Sequence, residues 1–447
     1  MTQMEKIAEF ILDPDLSVPE SALAMAATLL VDTLGVCAGA THLDAGRVAR
    51  DFAVDFHAAS GPGFAAPILF DGRHASLSGA AFAAATQIDN LDAHDGYNPT
   101  LGHIGCAVVP ALFAFAAHCP ELTGRQALTA LAMSYEVAAR AGISLHATVS
   151  DYHTSGAWNA LGVAALGARL RNHDTPTLRQ GLGIAEYHGP RSQMMREIAN
   201  PTMLHDGSGI GALTGVNAVL LAERGFLGAP AITVEAGEVA QHWANLGADW
   251  TIERNYIKPY PICRWAHAAI DATHALITTH DLNADQIASV HINTFRQAAC
   301  LYSGMPETTS QAQYSLPFAV AVLMRHGRIA PEHVSGAALS DPETAQVLKR
   351  ITVSETARHS DRFPAGRWSD VTMTLRDGRS FHSGDVHARG GPEAPMDQTE
   401  LREKFDAMVN PSFGPGRSQA IWDAGMGLVQ SDTLFSSLSH VVEKGPE

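Results

Sequence analysis

Apolar and polar positions follow two textures along this chain, and the change between them falls near Lys258. Before it, Ala24 to Ala40, Ala75 to Ile88, Cys106 to His118, Gln126 to Ala147, Ala157 to Arg171 and Gly209 to Glu223 are alanine-rich and apolar nearly all round. A helix without a polar face has to be buried on every side. These runs therefore predict a multi-helix core in which Ala and Gly let backbones approach closely. Glycine and proline punctuate them at Ser60 to Gly63, Cys119-Pro120 and Gly225 to Pro230. The opening MTQMEKIAEFIL is a short amphipathic helix carrying acids, unlike a secretory signal. Residues 1 to about 250 thus read as almost entirely helical.

After Lys258 the period changes. Ile287 to Thr294 and, more clearly, Trp368 to Leu375 alternate as strands do. Arg376-Asp377-Gly378-Arg379 predicts a hairpin turn into a further strand over Ser380 to His387. Helices are expected between them at Tyr314 to His326 and Asp341 to Arg350, which makes an α+β module. Leu401 to Met408 and Ser418 to Leu438 return to helical patterning, so the C-terminus is expected to rejoin the first half.

The stretch at the change, Ile257 to Ala272, reads IKPYPICRWAHAAIDA. Pro259 and Pro261 fix φ and remove donors, so Lys258 to Pro261 is extended or turned, with a helix starting from Trp265. Cations on a rigid segment that feeds a helix N-terminus suit an anionic ligand. A proline-stiffened linker with solvated charges is the plain alternative. The net charge of −16 sharpens the choice. It argues against nucleic acid or an anionic membrane as a partner, and an acidic substrate would need positive charge gathered locally, as Lys258 and Arg264 could do.

At 447 residues the chain is expected to form two or three domains. Its five cysteines are scattered, which suggests a reducing cytoplasm rather than a disulfide framework. No ligand spacing organises the 22 histidines, so no metal is expected. The apolar run Ile104 to Ala117 is too short to span a bilayer.

Two polar clusters could do chemistry. Asp89 to His103, DNLDAHDGYNPTLGH, puts three aspartates and two histidines, His94 and His103, around a proline turn directly after a buried helix. Carboxylate and imidazole together serve proton transfer, whereas helix capping alone would need fewer of them. His153, in Tyr152-His153-Thr154, precedes a helix whose dipole disfavours its charged form, so it could act as a neutral base or be merely packed. The glycine ladder of Leu204 to Gly215 lacks the strand and downstream acid of a dinucleotide loop and suits helix–helix contact. His205-Asp206 at its start could still project a polar pair into a pocket. No nucleophile elbow, Walker loop or kinase signature is present.

Taken in order, these residues resemble the MmgE/PrpD family over nearly the whole length. The most specific match is KPYPICRWAHAAIDA, similar to that family's K-P-Y-P-x-C-R-x-x-H signature. The acidic loop ending in His103, YHTSG after Asp151, Met203 to Gly215, AERGFLG and VTMTLRDGR also fall in order. The resemblance implies a mainly α fold: a large all-helical domain from residues 1–256 and 397–447, and a smaller α+β lid domain from 257–396. It also implies a homodimer, an active site between the domains and no required cofactor.

Family members act on small polycarboxylates at a carbon whose proton a neighbouring carboxylate makes acidic. By position, Asp89, His103, His153 and Lys258 are the expected catalytic residues. Arg264, His205, His94 and Tyr152 are expected to bind substrate, with His205 where many members carry lysine. Ala93 stands where dehydratase and decarboxylase members tend to have threonine, and Phe318 where the decarboxylase has tyrosine. Losing both hydroxyls counts against decarboxylase and citrate-type dehydratase activities. The sequence as a whole most resembles the family's epimerases, which implies a cofactor-independent epimerase acting on iminodisuccinate. His103 and His153 would be its opposing bases, and Lys258 a third if its pKa were lowered. A methylcitrate-type dehydratase, a cis-aconitate-type decarboxylase and a carboxylate-binding protein are the alternatives.

Overall fold

The computed structural model describes residues 1–430 and 433–446. Its centre in the larger half is the helix Glu20–Gly39, buried along most of its length. This helix is long and apolar enough to cross a membrane by length and composition, longer than the run singled out from the sequence. Yet 83% of that window lies inside the fold, where other helices cover it. Helices Leu77–Asp89, Gly105–Ala116, Gly124–Thr148, Gly156–Leu170 and Ser208–Glu223 pack around one another here. Small residues make the contacts possible. A Cβ at Gly215 would come 2.5 Å from the Cβ of Val163, and one at Gly35 would come 2.7 Å from the Phe405 ring. The glycine ladder is thus explained by close helix approach, not by a nucleotide.

Gly35 also shows how the chain closes. The long helix Gln398–Gly427 returns from the far end of the sequence to lie against Glu20–Gly39. Lys404 on it is buried, 2.5 Å from Asp32 Oδ1 and donating to the carbonyl of Ala93 at 2.8 Å.

The smaller part is built on a sheet. Ile287–Thr294 pairs in parallel with Ile351–Glu355 and antiparallel with Trp368–Leu375, which also pairs antiparallel with the short strands Ser380–His382 and Val386–His387. Val290, Ile292, Val371 and Met373 are buried against the helices His267–His280 and Leu316–His326. The protein is mainly α with a small α+β part, and its apolar side chains gather into two cores. One ends at Ile257 and resumes at Leu401; the other runs from Tyr260 to Leu375 and recruits Met194 and Ile198.

Several local expectations change. The helical half contains a small hairpin, Ala65–Pro67 with His74–Ser76. Ile351–Glu355, half-buried at the sheet edge, carried too weak an alternation to predict. The strand expected over Ser380 to His387 is split at Ser383-Gly384, where Gly384 has φ +68°. The two C-terminal helices expected around a break are joined instead. Gln398–Gly427 runs through Pro411 and Pro415 with a kink at Gly414. The second expected helix, Ser418 to Leu438, ends early at Gly427, and its positions 431 and 432 lie outside the described residues.

Replacing Lys404 with Met leaves Asp32 buried and unpaired, which should lower stability by ~3–5 kcal/mol in denaturant unfolding. The loss should grow as pH rises, because at low pH an unpaired buried carboxyl takes up a proton instead. Adding Asp32→Leu should recover most of it; a wild-type midpoint for the single variant would contradict a structural ion pair.

Candidate active site

The crossing segment is held from both sides by its backbone. Gly96 and Tyr256 exchange N–H···O bonds at 3.0 and 2.8 Å, and the Ile257 amide donates to the carbonyl of Gly390 at 2.9 Å. Pro259 and Pro261 need no partners, so the segment can leave one core and enter the other without orphaned donors. A short 3-10 turn, Arg264–Ala266, then leads into His267–His280. Where the cores meet, a narrow cavity of about 20 Å³ is lined by residues of the helical half, this segment and the sheet half.

From the helical side comes His103. Its Nδ1 lies 2.6 Å from the carbonyl of Asp95, which can only accept, so Nδ1 carries the proton and Nε2 keeps its lone pair. Nε2 lies 3.8 Å from Asp206 Oδ2. Ser155 braces both residues: its Oγ accepts from the His103 amide at 2.9 Å and donates to Asp206 Oδ1 at 2.5 Å. Burial and the Lys258 cation push His103 down to about 4, against the opposing pull of Asp206. At neutral pH this imidazole is an uncharged base.

Lys258 is buried, with Nζ 2.5 Å from Asp92 Oδ1 and 3.1 Å from the Asp92 carbonyl. Asp92 has a left-handed backbone, φ +55°, which lets one residue present both oxygens. Burial lifts the Asp92 carboxyl to about 6, still below neutrality. For Lys258, burial opposes the charge, but the Asp92 carboxylate together with Tyr256 and Cys263 outweighs it, so the amine is held above its ordinary value. The expectation of Lys258 as a base needed a lowered value, and the pairing with Asp92 reverses it. Lys258 is a fixed ammonium, able to give a proton rather than take one.

The remaining expected residues divide. Tyr152 and Arg264 line the cavity with His103 and Lys258. The Tyr152 hydroxyl donates to the Leu101 carbonyl. Arg264 lies 4.3 Å over the Tyr256 ring and donates to the carbonyls of Arg389 and Ala388.

Asp89 and His94 stand behind the wall. Asp89 accepts from the Ser208 amide at 3.0 Å, and burial with the nearby Asp206 charge holds its carboxyl well above the usual range. His94 is fully buried with its ring 4.4 Å from that of His103, and burial keeps it neutral. His205 packs on Tyr314, with Nε2 3.4 Å from Ser310 Oγ, and burial lowers it to about 3. His153 is not in the wall. Its amide donates to His146 Nε2 and its backbone bridges to Gln193, so the structure does not bring His103 and His153 together as opposing bases. Ala93 and Phe318 are also outside the wall: Ala93 receives Lys404, and Phe318 lies in the second core.

The sequence reading missed Tyr256, Tyr314 and Arg367, all of which line the cavity, and noted Asp206 only as half of a polar pair. Tyr256 directly precedes the proline segment and was findable there; Arg367 carries no local signal. Among the described residues two groups of buried donors have the spacing to hold a metal ion, Asp92 with His94 and His103, and Asp89 with His94 and Cys106; a third, His359, Asp370 and Asp385, is partly exposed. In the structure Asp92 is occupied by Lys258, and the Cys106 thiol donates to Ser208 Oγ.

A helical body closed by its own C-terminal return, an α+β part folded against it and a cation-rich cavity at the join define the class of protein. The chain belongs to the MmgE/PrpD family, whose N-terminal domain matches residues 5–250 and whose C-terminal domain matches residues 260–427. It is similar to cis-aconitate decarboxylase of Homo sapiens, 23% identical over 82% of this chain and 79% of that protein. The cis-aconitate decarboxylase of Mus musculus is 22% identical, over 73% of this chain and 71% of its own length. These matches support the family; they do not single out an epimerase.

The depressed value of His103 fixes a pH signature. Its folded value, about 4, lies below the ordinary 6.5. Between those limits the unfolded chain takes a proton that the folded one refuses. The stability this residue contributes is therefore complete above 6.5 and lost as pH falls towards 4. Ring-proton NMR of the folded protein should show His103 titrating near 4, and a midpoint near 6.5 would refute the buried neutral base.

Proposed function

We propose that this protein is a cofactor-independent proton-transfer enzyme for a small polycarboxylate, and that its net reaction is epimerisation, with iminodisuccinate as the substrate. The observation that carries the proposal is the placing, in the wall of one cavity, of a neutral imidazole and a fixed ammonium. His103 Nε2 takes the proton α to a carboxylate, and the electron pair moves into that carboxylate to give an enediolate. Preorganised cations stabilise such a charge most where it develops, which is the part given to Lys258 and Arg264. Lys258 then returns a proton from the other side, and exchange with solvent resets the pair. His103 comes from the helical loop and Lys258 from the crossing segment, which is why they can approach different faces of one carbon.

A lyase reading shares the first step and differs in the second, with a carboxyl group or β-hydroxyl leaving the enediolate. The similarity to cis-aconitate decarboxylases favours it. The missing hydroxyls at Ala93 and Phe318 carry less weight against it, because neither position lines the cavity.

Reaction in deuterated water separates the outcomes. Epimerisation should yield the opposite stereoisomer with deuterium at the α-carbon, and inversion that retains protium would sink the two-group scheme. Release of carbon dioxide from cis-aconitate, or of water from methylcitrate, would favour the lyase reading. His103→Ala should lower kcat by roughly 10²–10⁴ with unchanged circular dichroism, the usual range for a lost general base.

A further inference from the structure

We infer that Arg367 is a specificity-determining residue which, beside Arg264, makes the cavity demand a second carboxylate on its ligand. Arg367 is 1% exposed and lines the cavity from the start of the strand Trp368–Leu375. One nitrogen, Nη1, donates to the carbonyl of Pro364 at 2.5 Å, and the guanidinium stacks 4.7 Å over the Phe363 ring. Its Nε is buried without a hydrogen-bond partner among the described residues, and no carboxylate there reaches ion-pair distance of it.

The neighbouring arginines are treated differently. Arg358 bonds Asp370 and Asp385, and Arg362 bonds Asp385 at 2.8 Å. Carboxylates are therefore at hand on this side of the fold and are spent on exposed arginines, while the buried one is left bare. Leaving a buried cation unmatched is unfavourable, and burial with the nearby Arg264 charge weakens its hold on the proton, down to about 10.

Arg264 repeats the pattern. Its Nη atoms are taken by backbone carbonyls and its Nε has no partner, with Asp271 and Glu393 acting only from beyond ion-pair contact. The cavity's own charges do not relieve the pair. Lys258 already balances Asp92, and Asp206 faces His103 and Ser155. Two guanidiniums that enter from different elements, each with a partnerless Nε and no carboxylate at ion-pair distance among the described residues, are matched by two carboxylates. A single carboxylate would neutralise one and leave the other buried and bare. The dianion's reacting carbon would then lie towards His103, on the helical wall. This inference deepens the proposed function and rests on its cavity, but it concerns binding and needs no turnover.

The test uses succinate and its monoamide, succinamate, as probes of the folded full-length protein by isothermal titration calorimetry. Wild type should bind succinate at least about tenfold more tightly, the ratio that one lost charge-assisted contact gives. Arg367→Gln should bring the ratio close to one while leaving the melting temperature of the ligand-free protein within a few degrees. Arg367→Lys, which keeps the charge but not the fork, should fall between. A purely structural role predicts a lower melting temperature and parallel weakening of both probes. That result would overturn the inference, as would an unchanged ratio in Arg367→Gln. It would also fail, with no variant required, if wild type bound both probes alike or bound neither at millimolar concentration. A correct ratio with no acid turned over would leave Arg367 in place and remove the proton-transfer reading instead.

Discussion

The buried contact between the Lys258 ammonium and the Asp92 carboxylate is the interaction on which the site depends. It ties the proline segment that joins the two cores to the acidic loop of the helical body, across 166 residues of sequence. It keeps the lysine charged in a place where burial opposes the charge, and that charge adds to burial in keeping His103 from taking a proton. One pair thus contributes to both protonation states the proposed chemistry requires. A second buried pair, Lys404 with Asp32, supports the same loop from behind through the carbonyl of Ala93. Both lysines reach the loop from outside it, so the closure of the fold and the electrostatics of the cavity are a single construction.

The crossing segment could be read as a stiff linker or as a site. In the structure these are one arrangement. The prolines remove donors that a passage between two cores would leave unsatisfied. The flanking amides of Tyr256 and Ile257 are paired to the helical body and to Gly390. Rigidity of this kind is what allows Lys258, Cys263 and Arg264 to line one cavity from the same short segment. Hydrogen-bonding capacity inside that cavity is unevenly spent. On the helical wall Ser155 and Asp206 are engaged with each other, and of the buried polar atoms there only Asp92 Oδ2 lacks a hydrogen-bond partner among the described residues, while the Nε atoms of Arg264 and Arg367 are left open. A ligand bearing negative charge completes what the protein leaves unmatched.

Much of the architecture was legible because its causes are local. Helices apolar on all sides announce burial, and strands that alternate announce a sheet with one covered face. The errors were equally local. Ile351–Glu355 is short and at an edge, and the two helices expected over Leu401 to Met408 and from Ser418 are one helix that kinks at Gly414 and continues. In the site, the aspartate- and histidine-rich loop and the cationic segment both reach the cavity. Among the individual residues, His103, Lys258, Tyr152 and Arg264 line it, whereas His153 turns to His146 and Gln193.

By itself the sequence determined the helical and strand textures, the rigid cationic crossing and the chemical types gathered near it, since each follows from neighbours a few positions apart. Only the tertiary structure decided which charges are matched. Lys258 finds Asp92 and Lys404 finds Asp32 across 166 and 372 residues, while Arg367 finds no carboxylate at ion-pair distance among the described residues. Charge state in a protein interior is set by burial and by what lies within a few ångströms in space, and neither is written in the order of residues along the chain.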